Sequence, residues 1–232
     1  MEVFPDILFW YLVFLLSTTF HEASHAFFAM KLGDLTAYHN GQVTLNPIPH
    51  IKHEPIGTVV VPFISFFLAG WMIGWASAPY NLKWAYDHPK KAGTMAAAGP
   101  FSNLLLVVVA GILIHIGIAL GYFYQPDSIT ISSIVQAYDE GIGTSLASMV
   151  SIMFSLNLIL FIFNLIPIPP LDGSGMITLY LSDKSSRKYM SFIHNSAFAF
   201  FGIFIAWKIF DWIYFDIHLI FINFLYWGSS YQ

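Results

Sequence analysis

Long apolar stretches, several of them long enough to cross a bilayer, restrict this chain's architecture more than any other feature. They cover residues 7–32, 57–78, 93–124, 143–166, 190–210 and the shorter 215–227. About 20 apolar helical residues, rising about 1.5 Å each, cross a hydrocarbon core about 30 Å thick. Inside that core each backbone N–H and C=O must be satisfied within the chain, which favours helices. Composition agrees: 9% of the residues are charged and 57% hydrophobic, against roughly 25% charged in a soluble domain. So few charges could not cover a water-soluble globule, and soluble and disordered classes are excluded. The expected fold is an all-α polytopic membrane protein: a bundle of five to six transmembrane helices, with a membrane-embedded re-entrant or β-hairpin segment between the first and second core helices. It forms one integral-membrane domain over residues 1–232, with a core at 7–183 and additional C-terminal helices at 189–228. Its location is the cell membrane.

The net charge of −4, with no extended basic run, argues against nucleic acid as a partner. The chain has no cysteine, which removes disulfides, thiolate metal sites and a cysteine nucleophile. The first residues are acidic and lack the basic start of a signal peptide, so the first apolar stretch is expected to stay in the mature protein.

Polar residues inside apolar stretches are costly there and mark function by default. The first stretch carries His21-Glu22-Ala23-Ser24-His25. On a helix, residues four apart share a face, so His21 and His25 can present imidazoles to one metal ion. Glu22 then sits beside the metal, placed to take a proton from water, as in the zinc hydrolases. Two satisfied helix histidines are the competing explanation, but three titratable groups within five residues of a span would each cost several kcal/mol unpartnered. Ser17 and Thr18, one turn earlier, are candidates to orient the ligands, and packing is their equal alternative. A hydrolytic zinc site wants a third protein ligand. The candidate is Asp172, after the prolines that end the fourth stretch, in an expected turn with Gly173 supplying backbone freedom.

These segments together resemble the site-2 protease family of intramembrane zinc metalloproteases. The resemblance rests on His21-Glu22-x-x-His25, Ala98-Gly99-Pro100-Phe101-Ser102-Asn103, and Asn164-x-x-Pro167 running to Leu171-Asp172-Gly173, in that order. Thr44-Leu45-Asn46-Pro47 and Pro55-Ile56-Gly57-Thr58 are similar to the small branch without extra domains. The resemblance implies one Zn²⁺ per chain held by His21, His25 and Asp172, with Glu22 as general base. It also implies that Asn164 helps hold substrate or the developing oxyanion. Transmembrane peptides or membrane proteins would be the substrates and the lipid bilayer the medium. The loop His50-Ile51-Lys52-His53-Glu54 departs from the family pattern, and no role is carried onto it; His50 and His53 are candidates for the mouth of the site. His115 is expected in a polar helix–helix contact and His194 with Asn195 at an interface. Trp207, Trp212, Tyr214, Phe215 and Trp227 read as an aromatic belt at the lipid interface.

Charge distribution bears on topology. If all stretches crossed, the end of the fourth would lie at the opposite face from His21 and His25, too far for Asp172 to join them. If residues 57–78 re-enter instead, eight of the nine basic residues share one face, the better positive-inside arrangement. The Gly/Pro/Asn-rich run before that segment is expected to be extended. Rival functions are weaker. A di-iron desaturase wants about eight clustered histidines, and the cluster is missing; an ion transporter finds no repeat symmetry; and a silent binding homologue would not need Glu22.

Overall fold

The structure is a computed structural model that describes residues 3–193, 196–228 and 231. Helix α1 (Val3–Leu32) is the first long element. The hydroxyls of Ser17, Thr18 and Ser24 donate to the carbonyls of Val13, Phe14 and Phe20, one turn back, which satisfies them inside an apolar helix. The helix stops at Gly33, whose φ of 109° lies in the region that favours glycine. Short α2 (Thr36–His39) and α3 (Pro47–His53) follow. A π-helical turn at Ile56–Val60 then leads into α4 (Val61–Ala69), and this unit bends by 112° from α3.

After Gly70 (φ 77°) the chain doubles back. The Ile73 N–H donates to Ser65 Oγ and the Trp75 N–H to the Gly57 carbonyl; the Ser77 hydroxyl donates to Glu54 and the Asn81 N–H to Asp34. Residues 54–81 therefore leave at the end of the bundle where they entered. The returning segment lies tightly against α1: a Cβ on Gly74 would fall 2.2 Å from the Gly57 carbonyl oxygen and 2.6 Å from the Phe14 ring. The doubling back is built from a helix and an extended return without strand pairing, so the β-hairpin form is not adopted. The run expected to be extended is helical over Pro47–His53, because Asn46 caps the helix start and Pro47 fits its first turn.

Asn81 caps α5 (Leu82–Asp87), and α6 (Pro89–Ala119) crosses back through the bundle. Lys91 Nζ donates to the Leu32 carbonyl, which joins the end of α1 to the start of α6. Lys90 Nζ donates to the Leu179 and Leu181 carbonyls at that same end. The loop beyond α6 carries a minimal antiparallel pair, β1 (Phe123–Tyr124) and β2 (Gln136–Ala137), at the other end. Helix α7 (Ile142–Leu165) returns and stops before Pro167, and α8 (Asp172–Met176) begins at Asp172.

Three of the described helices, α1, α6 and α7, are long and apolar enough to cross a membrane, and the bent α3–α4 unit would make a fourth. The C-terminal part differs from two apolar helices. It comprises a polar α9 (Asp183–Ile193) and one continuous α10 (Ser196–Leu225). No Pro or Gly interrupts residues 203–225, and Lys208, Asp211 and Asp216 all lie exposed along α10. Charges on an exposed face leave the backbone ladder intact, so the apolar gap at 211–214 is no helix break. His194 and Asn195 lie outside the described residues. One core cluster joins α6, α7 and α10 around Ile114, Leu158 and Ile222; another joins α1, the doubled-back segment and α7 around Phe14, Met72 and Leu156. Outward-facing Leu8, Leu12, Leu105, Val108 and Ile112 give an apolar exterior suited to lipid.

Candidate metal centre

His21 and His25 lie one turn apart on α1, in its second half, and both are buried. Helix α6 packs against that turn through Gly99: a Cβ there would fall 2.3 Å from His25 Nε2 and 2.4 Å from His21 Nε2. Only a residue without a side chain lets the two helices approach so closely. Asp172 reaches the same point from the start of α8, where Gly173 packs beneath it against the end of α7. A Cβ on Gly173 would meet the Leu165 and Ile166 carbonyl oxygens at 2.3 and 2.5 Å. Gly173 is helical and its φ is not positive. Its requirement is thus close approach rather than backbone freedom, and Asp172 starts a helix rather than occupying a turn.

The three side chains converge. His21 Nε2 lies 3.0 Å from His25 Nε2, and Asp172 Oδ2 lies 3.0 Å and 3.3 Å from those two nitrogens. All three atoms fall within 4.8 Å of one another, an arrangement that could hold a metal ion. The outer ring nitrogens are committed elsewhere. His25 Nδ1 stands 2.8 Å from the Met95 carbonyl, which can only accept, so His25 Nδ1 carries the proton. His21 Nδ1 stands 2.6 Å from Asn103 Oδ1 and donates to it. In the neutral rings both Nε2 atoms are then bare lone pairs, pointed at each other and at a carboxylate. Three acceptors this close are mutually repulsive until a cation sits among them. A tetrahedral zinc bound about 2.0–2.1 Å from imidazole nitrogen sets its ligand atoms about 3.3 Å apart; the observed spacings of 3.0, 3.0 and 3.3 Å lie at or slightly inside that separation. Burial pushes the Asp172 carboxyl up; the two histidines in their protonated form outweigh that and hold it below the ordinary carboxylate range.

Glu22 is buried beside this group and has no hydrogen-bond partner among the described residues. Asn164 is half-buried; its Nδ2 donates to the Leu160 carbonyl on its own helix, and it makes no hydrogen bond to the three converging residues. Ser17 does not touch the histidines: its hydroxyl donates to Val13 and accepts from Asn157. Thr18 is engaged only with α1 carbonyls. His50 is buried with Nε2 on the Thr44 carbonyl, whereas His53 is exposed. His115 is exposed on α6 with no polar helix contact among the described residues, because position 115 lies on the outer face. Of the aromatic belt, Trp207, Trp212, Phe215 and Trp227 are exposed, Trp207 also stacking on Trp71, while Tyr214 is half-buried and stacks on Phe210.

Three contributors are not assigned from the sequence: the Met95 carbonyl, Asn103 and Asn157. The two asparagines are fully buried polar residues in apolar helices, so the cost argument that selected the histidines applies to them as well. Tyr80, on the returning segment, also lies near: burial first and the Asp172 carboxylate second push its hydroxyl up.

Comparison with known proteins agrees with this geometry. The sequence profile described as Peptidase family M50 matches residues 9–208. YwhC of Bacillus subtilis, a zinc metalloprotease by name, is 38% identical over 178 residues, covering 75% of this chain and 70% of that protein. Rip2 of Mycolicibacterium smegmatis, likewise a zinc metalloprotease by name, is 25% identical over 173 residues. That alignment covers 75% of this chain and 57% of Rip2. No solved structure matches the chain.

Proposed function

The chain belongs to peptidase family M50, and from that premise we propose that it is a zinc metalloprotease that hydrolyses peptide bonds within or near transmembrane segments of membrane-protein substrates. The observation that carries the reading is the convergence of His21 Nε2, His25 Nε2 and Asp172 Oδ2, two of them on a helix long and apolar enough to span. In this reading those atoms hold one zinc ion. When bound, zinc supplies a Lewis acid that acidifies water and polarises the scissile carbonyl.

Glu22 does the proton work. As water attacks the peptide carbon, the Glu22 carboxylate takes its proton; as the C–N bond breaks, it returns that proton to the leaving nitrogen, giving a carboxylate and an amine. The absence of competing hydrogen bonds to Glu22 among the described residues supports this role. Asn164 has one amide hydrogen committed to Leu160 and a second available to a developing oxyanion. We read residues 54–81 as re-entrant from the cytoplasmic face, with α10 as a further membrane-embedded helix and water reaching the site from the basic end. The joined ends of α1 and α6 support that topology.

The test is metal analysis of purified protein with cleavage of a panel of transmembrane peptides. Wild type should hold one zinc per chain and cleave; His21→Ala should lose both zinc and cleavage. Stoichiometric zinc in a His21→Ala/Asp172→Ala double variant would exclude these ligands, and zinc binding without cleavage of any peptide would favour a non-proteolytic membrane protein.

A further inference from the structure

The polar groups behind His21 form a directed chain that crosses three helices. The Asn103 side chain, on α6, accepts from His21 Nδ1 at 2.6 Å. Its Nδ2 donates to Asn157 Oδ1 on α7 at 2.8 Å and to the Ser17 carbonyl on α1 at 3.4 Å. Asn157 Nδ2 donates to Ser17 Oγ and to the Met153 carbonyl, each at 2.8 Å, and the Ser17 hydroxyl donates to Val13. Asn103, Asn157 and Ser17 are fully buried.

Backbone carbonyls set the direction of this chain, because they only accept. Flipping the Asn103 amide would turn its oxygen onto both Asn157 Oδ1 and the Ser17 carbonyl, two acceptor–acceptor contacts. Flipping Asn157 as well, to relieve the first, would turn its oxygen onto the Met153 carbonyl. Neither flip can be absorbed in a dry interior, where an unmade hydrogen bond leaves the desolvation of a buried polar group uncompensated. Asn103 is thus obliged to offer His21 an acceptor, and His21 is obliged to carry its proton on Nδ1. That leaves Nε2 bare towards Asp172 and His25.

We propose that Asn103 and, through it, Asn157 are positioning residues that hold His21 in its metal-binding tautomer. Asn157 exerts this effect although it touches none of the converging ligands. The inference rests on the metal reading above and extends it to residues outside the ligand set. It also explains why two asparagines are retained at full burial in apolar helices: each amide has all its hydrogens and its oxygen engaged, so little of the usual desolvation cost remains.

The first test needs no variant. Nitrogen-15 NMR of zinc-free protein, with His21 assigned by its loss in His21→Gln, should show a protonated Nδ1, whether the ring is neutral or carries a second proton towards Asp172; a bare Nδ1 overturns the proposal. The second test is zinc affinity by chelator competition. Asn103→Leu and Asn157→Leu should each weaken binding about 10–100-fold, the range for groups that orient metal ligands. Unchanged affinity in both leucine variants, alongside zinc loss in His21→Ala, refutes the positioning role and leaves the metal site standing. Zinc retained in His21→Ala refutes the metal reading itself. Should neither leucine variant fold, the wild-type tautomer decides.

Discussion

Gly99→Ala offers a sharp probe of the site because the substitution is ordinarily benign. Alanine in place of glycine within a helix stabilises by roughly 0.5–1 kcal/mol. At Gly99 the added Cβ would stand 2.3 Å from His25 Nε2 and 2.4 Å from His21 Nε2, about 1 Å inside the 3.4 Å edge of ordinary contact. Neither ring can swing aside freely, since each is held from behind, His25 by the Met95 carbonyl and His21 by Asn103. Either the imidazoles or α6 itself must therefore move by about 1 Å. Overpacking of that kind costs about 1–3 kcal/mol, and a misplacement of about 1 Å at a reacting centre costs about 10²-fold in rate. The expected outcome is zinc affinity at least about tenfold weaker and peptide cleavage about 10²-fold slower, with the helical circular dichroism retained. Gly111→Ala, on the same helix, is the control: its Cβ would meet only Leu225 Cδ1, at 3.4 Å, so it should be neutral or slightly stabilising. Wild-type zinc affinity and turnover in Gly99→Ala, or equal damage from Gly111→Ala, would refute the reasoning.

Glu22→Gln keeps shape and removes the proton acceptor, so zinc should stay bound while turnover falls about 10²-fold or more; near-normal cleavage would assign the base elsewhere. Gly173→Ala drives a methyl against the Leu165 and Ile166 carbonyl oxygens, which belong to backbone and cannot rotate away. Chelator competition should therefore show weakened zinc binding as Asp172 is displaced, and unchanged binding would mean that α8 tolerates the shift. Since the chain has no cysteine, single cysteines at Asn40, Tyr86 and Ser185 can be probed in intact cells and inverted vesicles. They should label from the cytoplasmic side only and one at Ser128 from the outside only; opposite labelling of Asn40 and Tyr86 would rule out re-entry of residues 54–81.

Where the periodicity of a helix alone relates two residues, the sequence was sufficient. His21 and His25 share a face because four residues make about one turn, and the membrane class followed from having too few charges to clothe a soluble surface. The need for Asp172 to reach those histidines, joined with the distribution of lysines, also implied that the segment between α1 and α6 doubles back. The material of that turn was less legible. An Asn-Pro-rich run suits an extended loop and a capped helix equally, and local pattern does not choose between them. Hydropathy divides the C-terminal helices wrongly because it registers Asp211 as a gap, whereas the backbone of α10 continues and lays that charge on its exposed face. Tertiary structure alone decided which polar groups stand behind the two histidines. Asn103 and Asn157 meet across separations of 82 residues, from His21 to Asn103, and 54 residues, from Asn103 to Asn157. No local rule links positions so distant: their pairing depends on how α6 and α7 rotate about their own axes when packed on α1. Gly99 and Gly173 belong to the same class. In the sequence each is a residue of low helix propensity, and only the packed structure shows that the space of one absent methyl is occupied by an imidazole in the first case and by backbone carbonyls in the second.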